Sequence, residues 1–243
     1  MSAQGTRGFT LVELVIIILI LAIVSTVAIT KLSNTFDTAQ AEHTKHELDE
    51  LARAIVGTPE LYTNGARSEF GYVGDVGSLP PNLDALVANP GGYTTWDGPY
   101  IATGFAPDDF KQDGWGVDYT YSDTLLRSTG SGTNIDKVFA TSSAALLANS
   151  IEGTVIDADQ SLPGSTYADS IVVRLSYPDG AGGTAAVAVN TDSRGYFSIS
   201  NLPIGNHVLQ VVYIPDSDTV TLPVSLNPGL NARLDIVFPA DLW

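Results

Sequence analysis

From Phe9 to Ile29 the chain runs for 21 residues in which Glu13 is the only charge, and Thr10, Ser25 and Thr26 are the only other polar side chains. As a helix rising about 1.5 Å per residue, such a segment is roughly 30 Å long, the thickness of the hydrocarbon core of a bilayer. Arg7 and Gly8 come immediately before it. A secretory signal would instead have a shorter apolar stretch followed by a small-residue cleavage site.

Beyond Lys31 the apolar positions Phe36, Ala39, Leu48, Leu51, Ala52 and Ile55 keep a helical spacing, and Gly57 and Pro59 supply a stop. The spacing predicts one helix over 9–56, apolar on all sides over 9–29 and amphipathic in its second half. Within the apolar part, Glu13 is costly: a charge at mid-bilayer costs about 2.5 to 3.5 kcal/mol, so it calls for a partner. No cation lies within the run. An α-amino group becomes adjacent only if the chain is cut after Gly8.

Gly8-Phe9-Thr10-Leu11-Val12-Glu13-Leu14, placed ahead of the apolar run, resembles the prepilin signature of type IV pilins and type II secretion pseudopilins. The resemblance implies that residues 1–8 are a leader. A membrane prepilin peptidase would cut between Gly8 and Phe9 and methylate the new Phe9 amine. A methylated amine stays cationic, so Phe9 and Glu13 can neutralise one another, within one subunit or between neighbours. Many members of that family carry a proline where this chain has Thr30.

Gly, Pro, Asn and Asp punctuate residues 57–149. Pro80 and Pro81 ahead of Leu83, Leu86 and Val87 read as a short helix with proline in its first turn. Tyr119 to Ser122 and Lys137 to Thr141 read as short strands. A small sheet packed on the amphipathic half of the long helix is expected, because that helix has an apolar stripe to cover. Leu86-Val87, Trp96-Asp97-Gly98-Pro99-Tyr100-Ile101, Asp113-Gly114-Trp115-Gly116 and Tyr119-Thr120-Tyr121 are similar to the globular part of the major type II secretion pseudopilin. That resemblance implies a calcium ion in the loop after the Tyr-rich strand. Here the loop from Ser128 to Asp136 is poor in acids, and calcium prefers six to eight oxygens with several carboxylates. Asp123 and Asp136 are the nearby candidates.

Ala144 to Ser150 reads as a linker or strand edge. After it the period becomes two, with strands expected at Glu152–Ile156, Ile171–Tyr177, Ala185–Asn190, Tyr196–Ser200, His207–Tyr213, Val220–Leu226 and Leu230–Phe238. This spacing predicts a β-sandwich over 150–243. Gly153-Thr154-Val155-Ile156-Asp157, Leu162-Pro163-Gly164, Thr191-Asp192-Ser193-Arg194-Gly195-Tyr196-Phe197 and Leu202-Pro203-Ile204-Gly205 resemble a carboxypeptidase-regulatory-like, or transthyretin-like, module. Asp157-Ala158-Asp159-Gln160-Ser161 has Leu162 where an EF-hand loop needs glycine, and so reads as a turn. The expected class is α+β: a long helix packed on a small sheet in a pilin fold, then an all-β sandwich.

With 27 acidic residues against 11 Lys and Arg the net charge is −16, and no basic patch exists to bind nucleic acid. The absence of cysteine excludes disulfides and thiolate chemistry. His43 and His46 lie one turn apart, but His46-Glu47-Leu48-Asp49-Glu50 lacks the second histidine of a zinc-protease motif. His207 has no nucleophile near it in sequence. No nucleophile elbow, phosphate loop or dinucleotide fingerprint is present, so no enzyme is expected. The resemblances imply a filament subunit partnered by copies of itself and other pilins, a prepilin peptidase, an inner-membrane assembly platform and, before assembly, the bilayer. The filament is a surface pilus or a periplasmic secretion pseudopilus. A membrane-tethered protein that binds through its sandwich is the alternative of another kind.

Overall fold

The computed structural model describes residue 8, residues 10–102 and residues 109–243, with the side chain of residue 30 left out. Helix α1 runs unbroken from Leu11 to Val56, through position 30. It ends at Gly57, whose φ of 75° lies in the region that favours glycine and whose N–H donates to Arg53 O at 2.7 Å. A β-carbon at Gly57 would collide with the Glu69 backbone. Buried Arg67 closes the helix end: its guanidinium donates to Val56 O and, at 2.8 Å, to Glu69 O, and lies 4.4 Å from the centre of the Phe70 ring. Arg67 arrives by way of a tight hairpin, β1 (Tyr62–Thr63) and β2 (Ala66–Arg67), turned by Asn64-Gly65 with both φ values positive.

Among the described residues, only the last part of α1 is covered by other parts of the chain. Thr44, Leu48, Leu51, Ala52 and Ile55 are buried, at intervals that follow one helical face. Phe36 remains 59% exposed and Ala39 is exposed too, so the covered stripe starts later than the expected one. Helix α2 (Gly71–Val76) packs on this stripe through Tyr72 and Val73. Beside it stands an antiparallel sheet of β3 (Thr120–Ser122), β4 (Leu125–Ser128) and β5 (Ile135–Val138). The expected strand at Lys137–Thr141 begins earlier and ends at Val138. Three polar links run from α1 to this region: Gly114 N–H donates to Thr44 Oγ1 at 2.9 Å, the Tyr119 hydroxyl to Glu47 at 2.7 Å, and Lys137 Nζ lies 2.5 Å from Asp49.

Leu83–Leu86 is a 3-10 turn capped by the Asn82 side chain, and the two prolines precede it rather than opening it. Trp96 donates its indole N–H to Ala85 O at 2.9 Å, and its ring meets Tyr100 edge-on, as Tyr100 meets Tyr72. These aromatics line the core of the helix-bearing half.

The C-terminal half has β6 (Asn149–Ile156), β7 (Ile171–Pro178), β8 (Thr184–Asn190), β9 (Tyr196–Leu202), β10 (Gly205–Tyr213), β11 (Asp218–Leu226) and β12 (Asn231–Val237). They form two open sheets, ordered β11-β10-β7-β8 and β12-β6-β9. Ile171, Val173, Leu209 and Val211 of the first share one apolar cluster with Ile151, Val155, Phe197 and Ile236 of the second. The last strand pairs with β6 in parallel, which alternation alone does not reveal. Pro223 sits in edge strand β11, where a missing N–H is tolerated.

Of the expected linker or strand edge at Ala144–Ser150, Ala144 to Leu147 belongs instead to helix α3 (Ser143–Leu147), capped by Ser142, while Asn149 and Ser150 open strand β6. Leu146 is fully buried, and its carbonyl accepts from Ile204 N at 2.8 Å. Ile204 itself belongs to the core around α1. Gly180 N–H donates to Val76 O at 2.9 Å and Thr94 N–H to Gly182 O at 2.7 Å, so backbone hydrogen bonds cross the seam between the halves.

Asp113 organises the loop against α1. Only 4% exposed, it accepts from Ser128 Oγ at 2.6 Å, Gly130 N at 2.9 Å, and Trp115 N and Val117 N at 3.0 Å each. Burial pushes its carboxyl up, but the Ser128 hydroxyl and the three N–H groups outweigh this and hold it below the usual carboxylate range. A lowered folded-state pKa adds stability above the unfolded value of about 3.9, and that stability is lost as pH falls through the folded value. We expect Asp113→Asn to cost about 1–3 kcal/mol at neutral pH and to flatten the acid end of the stability profile, measured by denaturant unfolding of the full chain in detergent micelles at several pH values. An equally steep acid loss in the variant would refute the assignment. A β-carbon at Gly114 would stand 2.8 Å from Gln40 O on α1. Gly114→Ala should therefore lower the melting temperature, by overpacking of about 1–3 kcal/mol, whereas unchanged melting would show that the loop yields freely.

Candidate functional site

The surface that distinguishes the chain is the free part of α1. Every described residue from Leu11 to Ala39 is exposed, and Leu11 to Ile29 carries Leu, Ile and Val on all sides. None of the most apolar 18-residue stretch is buried, and the helix is long and apolar enough to cross a membrane. Thr26 inside it is satisfied locally. Thr26 Oγ1 donates to Ala22 O at 2.9 Å, the back-bonding by which a hydroxyl is tolerated in an apolar helix.

At the start of α1, Thr10 is the N-cap. Its Oγ1 accepts from Glu13 N at 3.3 Å, and Glu13 Oε2 accepts from Thr10 N at 3.5 Å, a capping box that satisfies two donors of the first turn. The carboxylate also lies at the positive end of the helix dipole. The Thr10-x-x-Glu13 spacing carried this signal, which reading Glu13 only as a charge in an apolar run passes over. Gly8 is exposed, with open space around it. Phe9, and residues 1–7 of the expected leader over 1–8, lie outside the described residues.

The two calcium candidates are not brought together. Asp123 occupies the β3–β4 turn with φ 51°, while both oxygens of Asp136 are engaged by Arg127, at 2.7 and 2.8 Å across the β4–β5 pair. This pairing raises Arg127 and holds Asp136 below its ordinary value. The loop they flank is tied down directly by Asp113 through Ser128 and Gly130. Among the described residues no cluster of three or more His, Asp or Glu side chains is placed to hold a metal. Asp157 accepts from Ser161 N at 2.8 Å, closing the expected turn.

His43 and His46 project into solvent one turn from Glu47 and Glu50, at 3.2 and 3.5 Å. His207 is buried in β10 with Nε2 2.9 Å from Pro203 O, and burial pushes its pKa down. A cavity of about 640 Å³ opens beside Arg53, Glu69, Asp75 and Tyr100. Asp75, raised by burial, accepts from the Tyr100 hydroxyl at 2.8 Å. Among the described residues, no catalytic motif marks any of these groups.

A family model described as a prokaryotic N-terminal methylation motif matches residues 4–29. None of the curated proteins matches the chain. Among solved structures, the dioxygenase domain of a dioxygenase carbohydrate-binding protein fusion from Streptomyces sp. SirexAA-E is 14% identical over 42% of this chain and 86% of its own, with a TM-score of 0.31. The Bacillus anthracis TIE protein is 16% identical over 46% of this chain and 22% of its own, at 0.31. BcpA, the major pilin subunit of Bacillus cereus, is 15% identical over 52% of this chain and 42% of its own, at 0.25. The chain thus spans less than half of the latter two, and superpositions this poor carry no argument about its function. The N-terminal motif is the similarity that bears on what the chain does.

Proposed function

We propose that the protein is a structural subunit of a type IV pilus or a pilus-like filament. In this reading it is inserted in the inner membrane by α1, cut by a prepilin peptidase between Gly8 and Phe9, methylated at Phe9, and polymerised through the helix at an assembly platform. The observation that carries the reading is that the methylation-motif match coincides with a helix end whose apolar surface none of the described residues covers. Outside a bilayer, that surface is hidden most completely against the same surface of other copies, and its burial supplies the driving force.

Cutting after Gly8 leaves Thr10 and Glu13 in the mature chain, so the capping box survives processing while a terminal ammonium appears four residues before Glu13. The box fixes where the carboxylate stands. The ammonium then neutralises it inside an assembly of helices, where an unpaired charge is destabilising.

Intact-mass measurement of the isolated protein is expected to show Phe9 at the N-terminus with one added methyl group, and a chain that still begins at Met1 would overturn the proposal. Two substitutions separate the roles of Glu13. Glu13→Ala should insert normally but lower the yield of sheared filament at least about tenfold, as expected for a lost contact of 1.4 kcal/mol or more. Glu13→Gln keeps a side chain able to complete the box but removes the charge; an assembly defect as deep as that of Glu13→Ala is expected, and full assembly of this variant would sink the charge pairing.

A further inference from the structure

We infer that the outer face of the four-stranded sheet, centred on Arg174, docks on an acidic surface of a second copy of this chain. Along β7 the side chains alternate, with Ile171, Val173 and Leu175 turned into the core and Arg174 and Ser176 exposed outside. The pairing register places Gln210 of β10 and Ala188 of β8 on either side of Arg174, and Thr221 of β11 beyond Gln210. The next row is Pro223, Val208, Ser176 and Ala186, and the one on the other side is Thr219, Val212, Val172 and Asn190. None of these three rows contains a carboxylate, and Arg174 is their only charge. It makes no ion pair among the described residues.

Such a face stands out in this chain. The molecule carries a net charge of −16, and after Lys137 its only cations are Arg174, Arg194 and Arg233. Arg194 sits in a turn with Asp192, and Arg233 is paired in register with Glu152. Arg174 alone of the three is surrounded by uncharged neighbours on its face. Copies as acidic as these repel one another over most of their surface. The carboxylate-free face with one arginine meets an acidic neighbour without like-charge contact and supplies the cation that neighbour lacks. Because the face is positive and its target negative, the contact joins two different patches, the heterologous geometry that propagates into open filaments.

The size of the face fits this use. Four strands about 4.8 Å apart and three rows about 7 Å apart give on the order of 400 Å². A stable free-standing interface takes about 800 Å² per partner, so this contact alone does not hold a dimer in dilute solution. It acts between copies already concentrated by their helices, where a weak contact is amplified by effective concentration. To that extent the inference rests on the filament reading.

The chain has no cysteine, so Gln210→Cys gives a single thiol on this face. Labelled with a thiol-directed benzophenone and irradiated on intact cells, it is expected to yield an adduct of twice the chain mass made only of peptides from this chain. Arg174→Glu in the same background should reduce that adduct about tenfold or more, as like charges meet, while Arg174→Lys retains it; unchanged melting in detergent confirms that both variants fold. No adduct, an adduct with any other protein or with a polysaccharide, or an adduct indifferent to charge reversal would overturn the inference. The N-terminal mass is read on the same material. A retained leader with the adduct present defeats the filament reading alone, and a removed leader with the adduct absent defeats this inference alone.

Discussion

A helix of 46 residues that the other described residues cover only over its final third sets the terms for everything else in the molecule. Burial begins around Thr44, and from there each turn of α1 meets a specific partner: the Gly114 N–H, the Tyr119 hydroxyl, the Lys137 ammonium and finally the Arg67 guanidinium at the last carbonyls. The hydrophobic stripe holds the helix to the core, and the polar links fix its rotation and depth. Sliding α1 by one turn would bring Thr44 and Glu47 to the core positions of Leu48 and Leu51 and leave the buried Arg67 without its carbonyl, both destabilising.

At the opposite end, Glu13 answers two demands. Within one chain it completes the first turn of α1, and in that position its charge is favoured by the helix dipole. Between chains, the proposed ammonium partner removes a charge that a packed apolar bundle cannot otherwise accommodate. The local and the collective roles reinforce one another, since a carboxylate already ordered by its own helix loses less freedom when it pairs.

The parts of this architecture that depend on local patterning could be read before the fold was seen. The apolar run and Gly57 bounded α1 closely, and a period of two marked the seven strands of the C-terminal half. What escaped depends on contacts distant in sequence or on side chains with two meanings. Phe36 and Ala39 continue the helical period, yet the core ends before them, because spacing says which face is apolar and not where the partner stops. Thr44 is buried by virtue of a hydrogen bond rather than its hydropathy. The Ala-rich run before β6 lacks a clear period, but Leu146 is held in place by Ile204 from far along the chain. The Asn64-Gly65 hairpin and the Thr10-Glu13 box were open to local reading, each carrying a recognised turn or cap signal. The parallel pairing of β12 with β6 was not, since a strand of either direction alternates in the same way.

The hydrogen bonds across the seam, from Ile204 to Leu146, Gly180 to Val76 and Thr94 to Gly182, connect the two halves of the chain at separate points. Three such attachments resist hinging in a way that a single tether does not. The outer sheets are therefore held to the end of α1, and in the proposed filament each turn would repeat the same relief on its exterior. Such a surface is a regular lattice of identical facets instead of a brush of independently tumbling heads.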